Sequence, residues 1–503
     1  MKAFLMYRDR DIDPVEKLPA NAAALTQDLE LDTLFGAMAA GDNFLLEVAK
    51  KTVLTRLDEP EAILYRQHIL ADCLERSAII REMYAIAVEA IEREKKVWGW
   101  GHYPEGMLHR SVEVIKLLVD LLKRLRHIAD AHGAEFRSEG LTTLFRMLAR
   151  ELDDEYLGSV EDHLRRLEFR DGVLMSAELD DGNKGSRYVL RKPLITKQNW
   201  VERLQVRMER LLTGDRSDFV YEIPDRDESG FRALTELRGR GIGLVAGALG
   251  QSTDHILGFF RMLRSELGFY VGCMNLRDRL AGKGEPICFP EPFAAGKAIL
   301  SVRGLYDLCL SLSVKERVVG NDVRADDKLL VMITGANRGG KSTFLRGIGL
   351  AQLMMQCGMF VPAEAFRANV CDGIFTHYKR EEDSSMKSGK LDEELGRMSA
   401  IVDNMTPNSI VLLNESFAST NEKEGSEIAR QIVRALLETG IKVIYVTHLF
   451  DLAQRFYLAK MDAALFLRAE RLTDGRRTFR LVEGEPLPTS YGEDLYRRIF
   501  GAV

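Results

Sequence analysis

Three short stretches of this chain combine residue types that handle phosphate chemistry. The first is GANRGGKST, Gly335 to Thr343, with the spacing G-x-x-x-x-G-K-[ST]. The intervening positions are Ala336, Asn337, Arg338 and Gly339, followed by Gly340, Lys341, Ser342 and Thr343. Glycines let a backbone wrap an anion without Cβ collisions. The N–H groups of such a loop, and of a helix that starts after it, face the anion. Lys341 then reaches outer phosphates, and the Ser342 hydroxyl holds Mg²⁺. A glycine-rich turn with an incidental lysine is the bland alternative. It is outweighed because the motif follows the apolar run LLVMIT and opens the helical stretch STFLRGIGL. The second stretch is IVLLNES, Ile410 to Ser416, an apolar run ending in Asn414 and Glu415. Glu415 orients or deprotonates an attacking water if it lies beside the phosphates; otherwise it is a strand-end carboxylate in a surface ion pair. The third, KVIYVTH, ends in His448, which is either a contact to a terminal phosphate or a structural histidine.

Asn414 stands where nucleotide-hydrolysing folds usually carry an aspartate facing magnesium. An amide oxygen still accepts a hydrogen bond from Mg²⁺-bound water, so a weak, water-mediated metal role survives. One negative charge beside a divalent cation is lost. The expectation is retained ATP binding, weaker Mg²⁺ dependence and slow turnover. A nucleotide-driven conformational switch tolerates this, since hydrolysis only resets it.

The elements that must position these residues are strands alternating with helices. LVMITG, IVLLNE and KVIYV alternate with STFLRGIGLAQLMMQ and SEIARQIVRALLET, the pattern of a mostly parallel sheet covered by helices. Before them, HRSVEVIKLLVDLLKRLRHIAD places Ile115, Leu118, Val119, Leu122 and Leu125 at helical spacing. GVLMSAELDDGNKGSRYVLRK, near 172–192, reads as a small hairpin. The fold class expected is therefore an α/β P-loop ATPase domain with a mostly parallel sheet, preceded by a mainly α-helical region. At 503 residues the chain is longer than one ordinary domain. It is 46% hydrophobic and 29% charged, as globular protein is. A net charge of −6 excludes a strongly basic, histone-like binder, though not a local basic groove. The six cysteines form no CxxC pair and have no histidine at zinc spacing, so they read as reduced core thiols. No signal peptide or membrane span is expected, and the expected location is the cytoplasm, nucleoid association included.

Together these segments resemble the ATPase domain of the DNA mismatch repair MutS family, over about residues 286–503. TGANRGGKSTFLR, GMFVPAEAF, IFTHYKREED, SIVLLNESFASTNEKEG, VTHLFDLAQ and SYGEDLYRRIFG carry the resemblance. Asn337 matches the family's phosphate loop, whereas Ala336 and Arg338 depart from it. The front half is similar, more weakly, to the family's helical core and lever. The resemblance implies a helical core, lever and clamp at 1–275 and an ABC-type ATPase domain at 276–503. It implies ATP and Mg²⁺ as ligands and a homodimer through the ATPase domains, with each nucleotide sandwiched between subunits. It also implies DNA enclosed by the helical part. On this resemblance the helical core is expected to begin within the first few dozen residues, and the family's mismatch-reading and connector domains are not expected ahead of it.

Two further stretches keep two readings each. Ser388 lies where the family places a loop reaching the partner's nucleotide; it is equally a cap for a helix whose first turn holds Asp392, Glu393 and Glu394. That helix would turn Leu391, Leu395, Met398 and Val402 to one face. Arg203, Arg207 and Arg210 form a basic stripe at helical spacing that either tracks DNA phosphates or is a solvated helix face. Trp98 and Trp100 read as buried aromatics at a bend. The function expected is an ATP-switched, dimeric DNA-binding clamp of repair or recombination, weakly hydrolytic, acting alone or beside a repair partner. The alternatives are an ABC-type ATPase gripping a protein or ribonucleoprotein, and a nucleotide-binding scaffold that scarcely hydrolyses.

Overall fold

A computed structural model describes residues 1–13, 17–98, 103–169, 172–181, 184–191, 223, 226–380 and 389–487. A helical N-terminal region is followed by mixed α/β sheets. The chain forms two compact units. One comprises Met1, Ala85–His132 and Phe145–Leu263; the other comprises Lys2–Tyr84, Gly133–Leu144 and Arg264–Val503.

The first unit is built largely of helix. Its described elements include the helix Pro104–His132, in which Ile115, Leu118, Val119, Leu122 and Leu125 are all buried. Strands β1 (Met175–Asp180) and β2 (Lys184–Leu190) pair antiparallel, where the sequence pattern predicts a small hairpin. Trp98 is 88% exposed, not buried as its apolar bulk suggests. It follows the helix Ser77–Lys96, whose last turn holds Arg93, Lys95 and Lys96, so this end is solvated. Trp100 lies outside the described residues.

In the second unit, the early helices pack with the α/β elements. Arg66, in the helix Pro60–Glu75, is 1% exposed. Its guanidinium donates to the Met6 carbonyl at 2.7 Å and the Cys357 carbonyl at 3.3 Å, satisfying a charge that would be costly alone. A Cβ on Gly358 would lie 2.5 Å from the Arg66 Cβ, so only glycine lets the two segments approach.

The unit contains two sheets. Strands β3 (Glu291–Phe293), β4 (Leu300–Leu305), β5 (Asn321–Arg324) and β7 (Ala365–Asn369) form one, in the order β3-β7-β4-β5. The other has the order β12-β11-β6-β10-β9-β8. Its strands are β6 (Leu330–Gly335), β8 (Ile374–Tyr378), β9 (Ile410–Asn414), β10 (Lys442–Val446), β11 (Ala464–Arg471) and β12 (Arg477–Glu483). From β11 to β8 the neighbours pair parallel, and β12 pairs antiparallel to β11. All residues of β6 and β10 are buried, as expected of strands covered on both faces. Helix α1 (Lys341–Gln356) follows β6, α2 (Lys390–Val402) precedes β9, and α3 (Glu422–Glu438) connects β9 to β10. Among the described residues no helix is long and apolar enough to cross a membrane.

Candidate functional site

Parallel strands β6, β9 and β10 lie side by side, so their C-terminal ends bring three distant segments to one edge. This is the edge at which open α/β sheets bind ligands. The register pairs Val446 with Ile333 and with Asn414. The residues just beyond each strand, 336–342, 415 and 448, therefore converge.

The loop after β6 is shaped by close approach. Gly335 has φ +106°, and a Cβ there would meet the Ala469 backbone nitrogen at 2.8 Å. A Cβ on Gly339 would lie 2.6 Å from the Ala469 Cβ and 2.9 Å from the Ala336 carbonyl oxygen. Arg338 takes a left-handed conformation, φ +59°, which costs a side-chain-bearing residue energy and recurs at ligand loops. Gly340, φ +89°, starts α1 without a side-chain cap. The helix's first N–H groups are thus left for an anion. Arg477 on β12 braces the loop from behind, its Nε donating to the Asn337 carbonyl at 3.1 Å.

Lys341 is 5% exposed and folds back on the loop, its Nζ donating to the carbonyls of Gly335 and Ala336 at 3.0 Å each. Burial pushes its ammonium down to about 8, and the charge of Glu415 offsets part of that. The Ser342 hydroxyl donates to Asn414 Oδ1 at 2.8 Å. Two hard oxygen donors therefore stand side by side, as suits a Mg²⁺ ion that keeps several waters. The pair supplies no formal charge.

Glu415 sits just past β9 with φ +54°, its N–H donating to the Val446 carbonyl at 2.8 Å. Its carboxylate meets His448 Nε2 at 3.1 Å. The hydrogen bond from His448 holds the Glu415 carboxyl below its usual range, against the opposing effect of burial. A carboxylate held ionised in this way orients water better than it removes a proton.

A support for Glu415 was not apparent from sequence. His377 on β8 is fully buried, with Nε2 3.0 Å from the Glu394 carbonyl and Nδ1 2.7 Å from Ser416 Oγ. Burial pushes this imidazole down to about 4, so the ring is neutral. A carbonyl only accepts, so the proton resides on Nε2; the single Ser416 hydroxyl proton faces two acceptors of the same residue, the His377 carbonyl at 2.6 Å and Nδ1 at 2.7 Å. Tyr445 donates to the Ser416 carbonyl. Ser416 is thereby clamped between Glu415 and Phe417, both in left-handed conformation. In the sequence His377 and Ser416 each stand at the polar end of an apolar run, which does not set them apart from their neighbours.

The structure thus brings together Gly335–Ser342, Asn414, Glu415 and His448. Thr343, next on α1, is half-buried. Ser388, Arg203, Arg207, Arg210 and the SYG of Ser490–Gly492 lie outside the described residues. Helix α2 begins after Gly389 and carries Asp392 and Glu393 in its first turn. It does not bury the face expected: Leu395 and Val402 are exposed, and Glu394 and Met398 are its buried residues. The helix is rolled so that its Glu394 carbonyl receives His377, which fixes a face that apolar spacing alone would place elsewhere.

The chain matches the family model of the MutS2 N-terminal domain over residues 58–283 and that of MutS domain V over residues 331–497. It is similar to the DNA mismatch repair protein MutS of Petrotoga mobilis, 32% identical over 174 residues, which are 34% of this chain and 21% of that protein. It is also similar to the DNA mismatch repair protein MutS of Thermotoga maritima, 38% identical over 140 residues, 28% of this chain and 18% of that protein. The protein of the same name from Chlorobium chlorochromatii is 35% identical over 145 residues, 28% and 17% of the two chains. The matches therefore span about a fifth of these relatives.

Proposed function

The chain belongs to the MutS family, and on that premise we propose that it is an ATP-switched DNA-binding protein of repair or recombination, with slow hydrolysis. In this reading residues 276–503 form an ABC-type ATPase domain built on a P-loop, and residues 1–275 a core, lever and clamp. The observation that carries it is the convergence of Lys341, Ser342, Asn414, Glu415 and His448 at one sheet edge.

The loop N–H groups and the start of α1 hold the phosphates of ATP, and Lys341 leaves its two carbonyls to meet them. Mg²⁺, when bound, neutralises charge on the phosphates; Ser342 would hold it directly and Asn414 through water. Glu415 orients the attacking water, and His448 keeps that carboxylate ionised and lies within reach of the terminal phosphate. His377 and Ser416 keep the Glu415 backbone in its left-handed turn. The neutral Asn414 leaves the site short of one anion for its metal, which sets the slow rate. ATP uptake closes a homodimer through the ATPase domains, with Ser388 reaching the partner's nucleotide, and the helical part encloses DNA through Arg203, Arg207 and Arg210.

The test pairs ATP binding with DNA binding on the full chain. Wild type should bind ATP, and Lys341→Ala should not. DNA affinity should fall with rising salt, each phosphate contact adding about 0.9 to the slope. Absence of ATP uptake removes the whole reading. A salt slope near zero removes the DNA part and favours a protein or ribonucleoprotein partner.

A further inference from the structure

A cavity lies at the opposite edge of the same sheet. Its volume is about 450 Å³, within the range of small-molecule sites. It opens at the N-terminal ends of β9 and β10, away from the phosphate loop. Leu300, Leu329 and Ile410 give it an apolar wall, while Asn369, Gln352 and Lys442 supply polar groups.

Lys442 is the group that needs explaining. It is the first residue of β10 and only 8% exposed. Its Nζ donates to the Ile299 carbonyl and to Asn369 Oδ1, both at 3.2 Å and both neutral. Asn369 Oδ1 is already shared with the Ile299 N–H. An ammonium carries three donors, and among the described residues no carboxylate pairs with this one. A buried cation without an anion is costly, and it lines a cavity with room for one. Burial has pushed its ammonium down to about 8, with Cys371 and Asp326 opposing. At neutral pH most of the population is still charged. Lys297 and Asp327 both stand exposed at the same cavity, one of each charge, and the buried Cys371 also lines it, so the uncompensated positive charge is that of Lys442.

We propose that this cavity binds a small organic anion, its carboxylate or phosphate head on the Lys442 ammonium and its body against Leu300, Leu329 and Ile410. The site is independent of the nucleotide loop, and no residue of the proposed ATP machinery lines it.

Benzoate is the first probe, with benzamide as its neutral counterpart and inorganic phosphate as a head without a body. Calorimetric titration of the full chain, in a buffer free of carboxylate and phosphate, should show saturable benzoate binding in the millimolar range or tighter. Benzamide should bind at least about tenfold more weakly, and phosphate should compete with benzoate. Lys442→Met should weaken benzoate about tenfold or more while ATP binding stays unchanged. Should that variant fail to fold, wild type alone decides. An anion restores the lysine's charge, so at about pH 8.5 benzoate binding should take up about three quarters of a proton, and near pH 7 much less. No saturation by either anion overturns the proposal, as does equal binding of benzoate and benzamide. So does unchanged affinity in a folded Lys442→Met protein, or binding without proton uptake at the higher pH.

Discussion

Lys341 is held in a position that makes the protein's stability depend on pH in a definite direction. Its folded value is about 8 against an ordinary 10.5, and burial is the cause. Between those values the unfolded chain binds a proton that the folded chain does not. Stability contributed through this group therefore rises with pH across that window. Near pH 7 both states are protonated and the contribution is close to zero. By about pH 9.5 the folded amine is mostly neutral and the unfolded one mostly charged, which amounts to about 2 kcal/mol. Lys341→Met removes the titrating group. Comparing wild type with this variant cancels Lys442, which shifts in the same direction. The pH-independent cost of stripping the Gly335 and Ala336 carbonyls of their donor stays in the gap at every pH and drops out of its change with pH. Urea unfolding followed by circular dichroism, without nucleotide, should show the wild type gaining about 2 kcal/mol on the variant between about pH 7 and about pH 9.5. A gap constant to within about 0.5 kcal/mol would mean the lysine is solvated and that the folded-back geometry is wrong. The same linkage predicts that ATP binding takes up a proton above about pH 8. Its affinity should then fall by up to about thirtyfold by about pH 9.5.

Four further outcomes follow from contacts at the site. Asn414→Asp should steepen the Mg²⁺ dependence of ATP turnover and raise its rate, checked by steady-state phosphate release; equal rates and equal Mg²⁺ response would show that the missing charge is irrelevant. Glu415→Gln should leave ATP binding within about threefold of wild type while lowering turnover about a hundredfold or more, as for loss of a group acting on the attacking water. Ser416→Ala should strip the buried His377 carbonyl and Nδ1 of the one hydroxyl that faces both, lowering stability by about 1–3 kcal/mol and reducing turnover more than ATP affinity. Gly425→Ala places a Cβ 2.3 Å from the Phe417 carbonyl oxygen, against backbone that cannot yield cheaply; thermal unfolding should report a clear loss of stability.

How much of this was legible depends on where each residue's environment comes from. The central strands declared themselves because β6, β9 and β10 are continuous apolar runs, a pattern that only burial on both faces sustains. Strands β11 and β12 did not. ALFLRAER and RTFRLVE alternate apolar residues with arginines and glutamates at a sheet margin, and this reads as readily as surface helix. Their contribution to the site, Ala469 against Gly335 and Arg477 against Asn337, comes through contacts across more than a hundred residues of chain, which no local pattern carries. Glu394 shows the same limit. In sequence it is one of three acids opening a helix, yet it is 1% exposed and its backbone carbonyl receives His377. Lys442 resembles an ordinary cation flanking a strand until Ile299 and Asn369 close over it.

Asn414 is the instructive case, because sequence supplied the missing charge and structure supplies what the amide does instead. Glu415, the next residue, is already a carboxylate stabilised by His448 and by the nearby Lys341 charge. A second carboxylate at 414 would place two anions side by side, and like charges in one site raise one another's proton affinity. The neutral amide accepts from Ser342 without that repulsion. Glu415 is therefore the carboxylate on which the nearby Lys341 and Lys379 charges act. The departure from aspartate costs little before magnesium binds and most of its effect afterwards, so the nucleotide-bound state rather than the resting fold is where this chain should differ from an efficient hydrolase.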